Sequence, residues 1–531
     1  MSMKTMPDAV KVSGGTMWTH RYELFSAKVY TPENDLPGQV INFGFKAPYL
    51  VVLEETPMTE EAAVAYARET GLAALAASFD TSVVFISPNT AGGWADAPAE
   101  IYAELIRETK IGPFYENGVL IQKDFFGKGP DTYYIRGAIF RVCLYGRGAA
   151  ADWIAENCLK TLQGEYLWGP GEITPSAVCL ENLSKAAVPE RDDIAVISVG
   201  NSEEINLTFR SKCRYLLEKD KAEYEKDWRG FTVRFKRWCG KIEEEPDFSV
   251  NGAVEEYDVI SVKTSPDNNG RYKGTETHPL GYFAYYPYGL LQEEGGQPVV
   301  IAFHGGGDSA LHICHVSGWW RIAHRNRFLL IAVENHMDVT ATEVQKLISH
   351  LKQKYPVDEH RIYATGFSMG GCKTWDQFQE YPETFAALAP MDATFDVGLN
   401  MFGRPAPRVN RDVPVPLFYA GGEETPLPEL PFQADKCTER IAYVFEVNRL
   451  KTPYHVKFEE RAEWNDKIWG IPGDRVEKVY DYSREATLTL NRFDDINGKE
   501  MTVLGSVSPQ GHECREHTCE AAWNFMKNYT R

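Results

Sequence analysis

Apolar runs of strand length alternate along this chain with stretches that repeat at helical spacing. In the second half, residues 297–305 (QPVVIAFHG) form a continuous apolar run ending in glycine, the pattern of a buried strand that breaks into a turn. A second run, 327–334 (RFLLIAVE), follows a helix-like stretch, and 340–354 sets Val344, Leu347, Ile348 and Leu351 on one helical face. The run 361–365 (RIYAT) then leads into a glycine-flanked segment, 366–371. The first half has the same order. Residues 49–54 (YLVVLE) predict a strand, 60–77 a helix, 81–86 (TSVVFI) a strand and 97–110 a helix. The run 138–144 (AIFRVCL) predicts a third strand, ending in Tyr145-Gly146-Arg147-Gly148 before a helix at 149–159.

Continuous apolar strands separated by helices imply parallel pairing, because each crossover lays a helix over the sheet face. The expected class is α/β: two tandem domains, each a mostly parallel sheet flanked by helices. The boundaries read from the sequence are 1–245 and 246–531, meeting at the charge-rich stretch 240–251, with an insertion around 451–498 in the second domain.

Composition narrows the class. With 43% hydrophobic and 25% charged positions in 531 residues, disordered, collagen-like and disulfide-scaffold readings drop out. A formal charge of −19 argues against nucleic acid or an anionic membrane as partner, since both need concentrated positive charge. The apolar runs are too short to cross a bilayer, and residues 1–15 lack the apolar core of a signal peptide. The ten cysteines show no paired metal spacing. The expectation is a cytoplasmic protein with reduced thiols, no metal and no organic cofactor.

Histidine placement is more telling than charge. Of twelve histidines only His20 precedes His278, so chemistry that needs an imidazole base belongs to the second half. There, Gly366-Phe367-Ser368-Met369-Gly370 directly follows a predicted strand and precedes a helix. A G-x-S-x-G in that context is a nucleophile elbow: the glycines permit a strained turn that presents Ser368 clear of the backbone, and the Met369 amide is placed for an oxyanion. Upstream, His304-Gly305-Gly306-Gly307 offers a second oxyanion amide near Gly306. The base must follow Ser368, and His512, in the loop Ser508-Pro509-Gln510-Gly511-His512, is preferred over His455 and His517. Glu424, after the strand-like 415–420 (VPLFYA), is the expected acid, with Glu423 as alternative and Asp392, Asp396 and Asp435 as further candidates. His304, Trp319, Trp320 and His336 are candidates for lining a substrate site.

The run Tyr355-Pro-Val-Asp-Glu-His-Arg-Ile-Tyr-Ala-Thr-Gly-Phe-Ser-Met-Gly-Gly371 resembles the elbow region of α/β-hydrolase esterases of the polyhydroxybutyrate-depolymerase and feruloyl-esterase type. That group has a similar Pro-x-Asp-x-x-Arg-Ile-Tyr lead into Gly-x-Ser-Met-Gly-Gly, with an upstream His-Gly and a downstream Gly-His. The resemblance spans about 258–531 and implies an α/β-hydrolase fold and a serine esterase. This sequence departs from the group in carrying Glu where Asp is commoner, and in the aromatic-rich insertion.

At the elbow-equivalent position the first half reads Leu144-Tyr145-Gly146-Arg147-Gly148, without serine, and no histidine follows until His278. A degenerate, non-catalytic hydrolase-like domain is expected, serving to shape the cleft or to form a homo-oligomer. The function expected of the whole is cleavage of a small-molecule carboxylic ester through an acyl-enzyme on a Ser368–His512–Glu424 triad. A peptidase or acyltransferase with the same triad, and a non-catalytic binding scaffold, are the rival readings.

Overall fold

A computed structural model describes residues 9–33, 48–78, 81–109, 114–116, 119–122, 141–166, 169–228, 252–270, 272–306, 310–334, 336–393, 396–427 and 430–531. The predicted junction at 240–251 and residues 138–140 lie outside these. The chain divides into two compact units, Met1–Asp247 and Phe248–Arg531.

The main sheet of unit 1 has nine strands: β1 (Val10–Val12), β2 (Gly15–Arg21), β3 (Phe25–Pro32), β4 (Tyr49–Leu53), β5 (Val83–Pro88), β6 (Val142–Arg147), β7 (Ala177–Glu181), β8 (Ala195–Val199) and β9 (Leu216–Lys219). Their order across the sheet is β1-β2-β3-β5-β4-β6-β7-β8-β9. Pairing is antiparallel from β1 to β5 and parallel from β5 onward. The predicted helix at 60–77 is two helices, Glu60–Glu69 and Leu72–Ser78, because Gly71 takes φ +82° and ends the first. Helix α1 (Ala149–Asn157) follows β6. Apolar residues cover both faces of the sheet in two separate clusters, as the continuous apolar strands require.

Unit 2 adds β10 (Ala253–Lys263), β11 (Thr277–Pro287), β12 (Gln297–Phe303), β13 (Leu329–Val333), β14 (Val357–Phe367), β15 (Ala387–Met391), β16 (Leu417–Gly422), β17 (Arg475–Asp481), β18 (Ala486–Asp494) and β19 (Glu500–Ser508). The sheet order is β10-β11-β13-β12-β14-β15-β16-β19-β18-β17. Strands β13 to β19 pair in parallel, and both ends are antiparallel. The insertion thus extends the sheet with a β17–β18 hairpin. Helices α2 (Trp319–Asn326), α3 (Ala341–Lys354), α4 (Met369–Glu380) and α5 (Glu516–Met526) flank it. Helix α3 starts at a capping box in which Thr340 and Glu343 satisfy each other's backbone amides. A parallel sheet gathers its strand ends at one edge, so the loops after β12, β14, β15, β16 and β19 converge there. Both sheets are mixed, mostly parallel and helix-flanked. Among the described residues, no helix is long and apolar enough to cross a membrane.

Candidate active site

Strand β14 ends at Phe367, and Ser368 follows at φ +53°, ψ −119° as the N-terminal cap of α4. A left-handed backbone at a residue with a side chain is strained, and it persists only where the surroundings enforce it. Here the enforcement is visible. The Ser368 N–H donates to Met391 O (2.9 Å), and neighbouring glycines leave no room for alternatives. A Cβ on Gly366 would stand 2.1 Å from Gly370 O, and one on Gly370 would stand 2.1 Å from Phe303 O and 2.6 Å from His304 O. Helix α4 therefore begins in backbone contact with the end of β12. Met369 contributes one of the amides that a helix start leaves without an intrahelical partner, at the positive end of the helix dipole. Gly306 is half-buried in the turn beyond β12, and Gly307 lies outside the described residues.

His512 sits in the loop after β19, half-buried, with Nε2 2.9 Å from Ser368 Oγ. Its ring lies 4.8 Å from that of Phe367, which limits its rotation. Nδ1 is 3.2 Å from Thr425 Oγ1. The tautomer competent for catalysis carries its proton on Nδ1, donates it to Thr425 and leaves Nε2 to accept from Ser368. Thr425 was not among the residues singled out from sequence; the turn after β16 brings it inward. The Thr425 N–H closes that turn on Gly422 O (3.2 Å), while the Glu424 N–H donates to Gln510 O (2.9 Å). This directs Thr425 into the protein, where it is 4% exposed, and leaves Glu424 exposed and Glu423 half-buried. The expected Ser–His pair is brought together, and Thr425 Oγ1, a hydroxyl, stands at Nδ1. Of the other two histidines, His455 is exposed in a loop and His517 is half-buried on α5.

The four side chains expected to line a substrate site are packed inside. Both ring nitrogens of His304 lie 2.7 Å from backbone carbonyls, Nδ1 from Gly305 O and Nε2 from Glu334 O, which locks the strand end that precedes Gly306. His336 is fully buried edge-on to His304 at 4.3 Å, and burial pushes its pKa well below the usual imidazole value, so it is neutral. Trp319 is fully buried on α2 against Phe328, and Trp320 lies under the Arg321 guanidinium at 5.4 Å. Helical spacing alone does not separate a core-facing aromatic from one that faces a cleft, and here packing wins.

In unit 1 a turn of similar backbone conformation follows β6. Gly148 takes φ +53°, ψ −125° between β6 and α1, and its N–H donates to Glu181 O (2.9 Å). A Cβ there would stand 2.3 Å from Glu55 Oε1, so the Glu55 carboxylate fills the space a nucleophile would need.

No family model matches this chain. It is 26% identical over 134 residues to a bifunctional acetylxylan esterase/xylanase of Neocallimastix patriciarum, covering 24% of this chain and 19% of that protein. It is 25% identical over 137 residues to poly(3-hydroxyalkanoate) depolymerase C of Paucimonas lemoignei, covering 22% of this chain and 32% of that protein. The chain thus spans a third or less of the length of these curated relatives. Among solved structures it is similar to an acetyl xylan esterase from Aspergillus awamori, with 12% identity, a TM-score of 0.33, and coverage of 51% of this chain and 99% of that one. By name, the relatives in sequence are an acetylxylan esterase/xylanase and a poly(3-hydroxyalkanoate) depolymerase.

Proposed function

We propose that unit 2 hydrolyses a carboxylic ester through an acyl-enzyme formed on Ser368. The observation that carries this reading is the 2.9 Å contact between Ser368 Oγ and His512 Nε2 at a left-handed strand-to-helix turn. In this mechanism His512 Nε2 takes the hydroxyl proton as Ser368 Oγ bonds to the acyl carbon. The Met369 amide, with that of Gly306, receives the oxyanion. The imidazolium then protonates the departing alcohol, and water repeats the sequence to release the acid and free serine. Thr425 holds the Nδ1 proton. Glu424, one residue away and exposed, acts as a solvent-screened charge beside the base and takes the place of the triad acid only in that weak sense.

The esters named for the relatives, acetylated xylan and poly(3-hydroxyalkanoate), are neutral. A formal charge of −19 favours such neutral substrates over polyanionic ones. The cysteines are read as reduced thiols in a cytoplasmic setting. Unit 1 is read as a degenerate copy of the same fold. The strand orders β3-β5-β4-β6-β7-β8 and β11-β13-β12-β14-β15-β16 match, and Gly148 stands at the elbow position. The test is hydrolysis of p-nitrophenyl acetate by the full chain, with Ser368 identified by mass spectrometry after fluorophosphonate labelling. Activity that persists in S368A would overturn the proposal.

A further inference from the structure

Behind the Ser368–His512 pair, one buried carboxylate touches both loops that frame the histidine. Asp392 follows β15 at φ +41° and is 1% exposed. Its Oδ1 accepts the Gly422 N–H at 2.7 Å, where β16 turns towards Thr425. Its Oδ2 accepts the Glu513 N–H at 3.1 Å, the residue after His512. Its own N–H donates to Ala420 O (2.8 Å), and the carbonyl of the preceding Met391 accepts from Ser368. Met391-Asp392 thus ties nucleophile, histidine loop and threonine loop to one sheet edge. Glycine is required around it: a Cβ on Gly421 would stand 2.8 Å from Asp392 Oδ1, and one on Gly422 would stand 2.1 Å from Gly511 O.

Unit 1 supplies an internal comparison. Asn182 follows β7 at φ +56°, its N–H donates to Val199 O (3.1 Å), and a Cβ on Gly200 would stand 2.8 Å from its Oδ1. The two residues occupy the same place in the fold. The unit with a Ser–His pair carries the carboxylate, and the unit with glycine at the elbow carries the uncharged amide.

Resting on the Ser368–His512 reading, we propose that Asp392 is a positioning residue for His512. Both carboxylate oxygens accept amide protons, an arrangement that suits an ionised carboxylate, which is acceptor-only at both oxygens. A carboxamide of the same shape would set its NH2 against one of those donors. The two bonds fix the loops on either side of the imidazole, so that Nδ1 meets Thr425 while Nε2 meets Ser368. The buried negative charge also favours the imidazolium that forms when Ser368 is deprotonated. The neighbouring Glu513 carboxylate is exposed and paired with Arg515 at 3.0 Å, so it is screened by solvent and a counter-charge.

The test is D392N in the full chain, with p-nitrophenyl acetate as substrate and active sites counted by fluorophosphonate. The expected result is kcat per labelled site lowered by about tenfold or more, KM within about threefold, and the acid limb of the kcat/KM profile moved to lower pH. A wild-type kcat per site with an unmoved acid limb overturns the inference. Asn182 shows that an asparagine accommodates this backbone; should D392N still fail to fold, D392S is read in the same way. In the wild-type protein, amides of Gly422 and Glu513 that exchange as fast as open-loop amides would also overturn it. A wild-type protein that neither labels nor hydrolyses ester removes the Ser368–His512 reading itself, whereas normal hydrolysis with an indifferent D392N removes only the role of Asp392.

Discussion

Ser368 and Gly148 adopt one backbone conformation, φ/ψ of +53°/−119° and +53°/−125°, each with its N–H bonded 2.9 Å away to the carbonyl ending the next strand of the sheet. One position carries a hydroxyl facing an imidazole; the other has no side chain and is filled by Glu55. A strained turn is costly to keep, and in unit 1 the glycine relieves the cost while leaving the turn in place.

The first prediction follows from that contrast. In the full chain, S368A abolishes fluorophosphonate labelling altogether, because glycine and no serine stands at the corresponding turn of unit 1. Its kcat falls by about 10⁴-fold or more, as for loss of a serine nucleophile in comparable enzymes. H512A reduces kcat to a similar degree and slows labelling of Ser368. Intact-mass spectrometry and burst kinetics check both, and residual stoichiometric labelling of S368A would locate a second reactive serine.

Thr425 and Glu424 separate by environment. T425V keeps the shape but removes the acceptor at Nδ1, a neutral hydrogen bond of about 1 kcal/mol, so kcat falls by about fivefold. E424Q removes an exposed charge that salt screens, so kcat changes by less than about twofold at 0.15 M ionic strength. Steady-state kinetics on the two variants decide the matter; a larger loss in E424Q would restore the glutamate as triad acid.

The parallel strands β4, β5, β12, β13 and β14 were legible because strands buried on two faces read as unbroken apolar runs, whereas the antiparallel strands β1 to β3, β10 and β11 at the sheet ends were not. The elbow was legible because its glycines are enforced by backbone contacts. Ser368 and His512, chosen from motif context and chain order, lie 2.9 Å apart. Thr425 was not legible. Which residue of the turn after β16 faces inward depends on the Glu424–Gln510 and Thr425–Gly422 backbone bonds, and these belong to the meeting of two loops distant in sequence. Asp392 shares that origin. His304, Trp319, Trp320 and His336 show the opposite limit: their residue types suit a substrate site, yet packing against β-strands and carbonyls accounts for them.

Gly370 joins stability to catalysis. Its Cβ would meet the carbonyls of Phe303 and His304, backbone atoms that cannot rotate away. G370A is expected to cost about 3 kcal/mol in stability and to displace the turn that carries Gly306. Urea denaturation measures the first effect. A kcat per labelled site reduced by about tenfold measures the second, and an unchanged midpoint would contradict the packing argument.

Two buried glutamates in unit 2 make opposite demands on pH. For Glu343, burial acts to raise the pKa, but hydrogen bonds from His278 and from the Ser265 and Thr340 amides outweigh it and hold the carboxyl at about 2. Its folded pKa lies below the unfolded value, so its stabilisation is complete above about pH 4.5 and is lost as pH falls towards 2. Glu380 on α4 is raised to about 8, by burial first and then by Asp376. Its folded pKa lies above the unfolded value, so the protein binds an extra proton and loses stability as pH rises from about 4.5 to 8. E380Q mimics the neutral form. It should match the wild type in urea denaturation at pH 5 and exceed it at pH 8 by up to about 4 kcal/mol. E343Q should be less stable than the wild type at pH 6, by up to about 3 kcal/mol, with the gap closing towards pH 3. Parallel pH curves for the wild type and either variant would show that the corresponding carboxyl does not titrate as the structure requires.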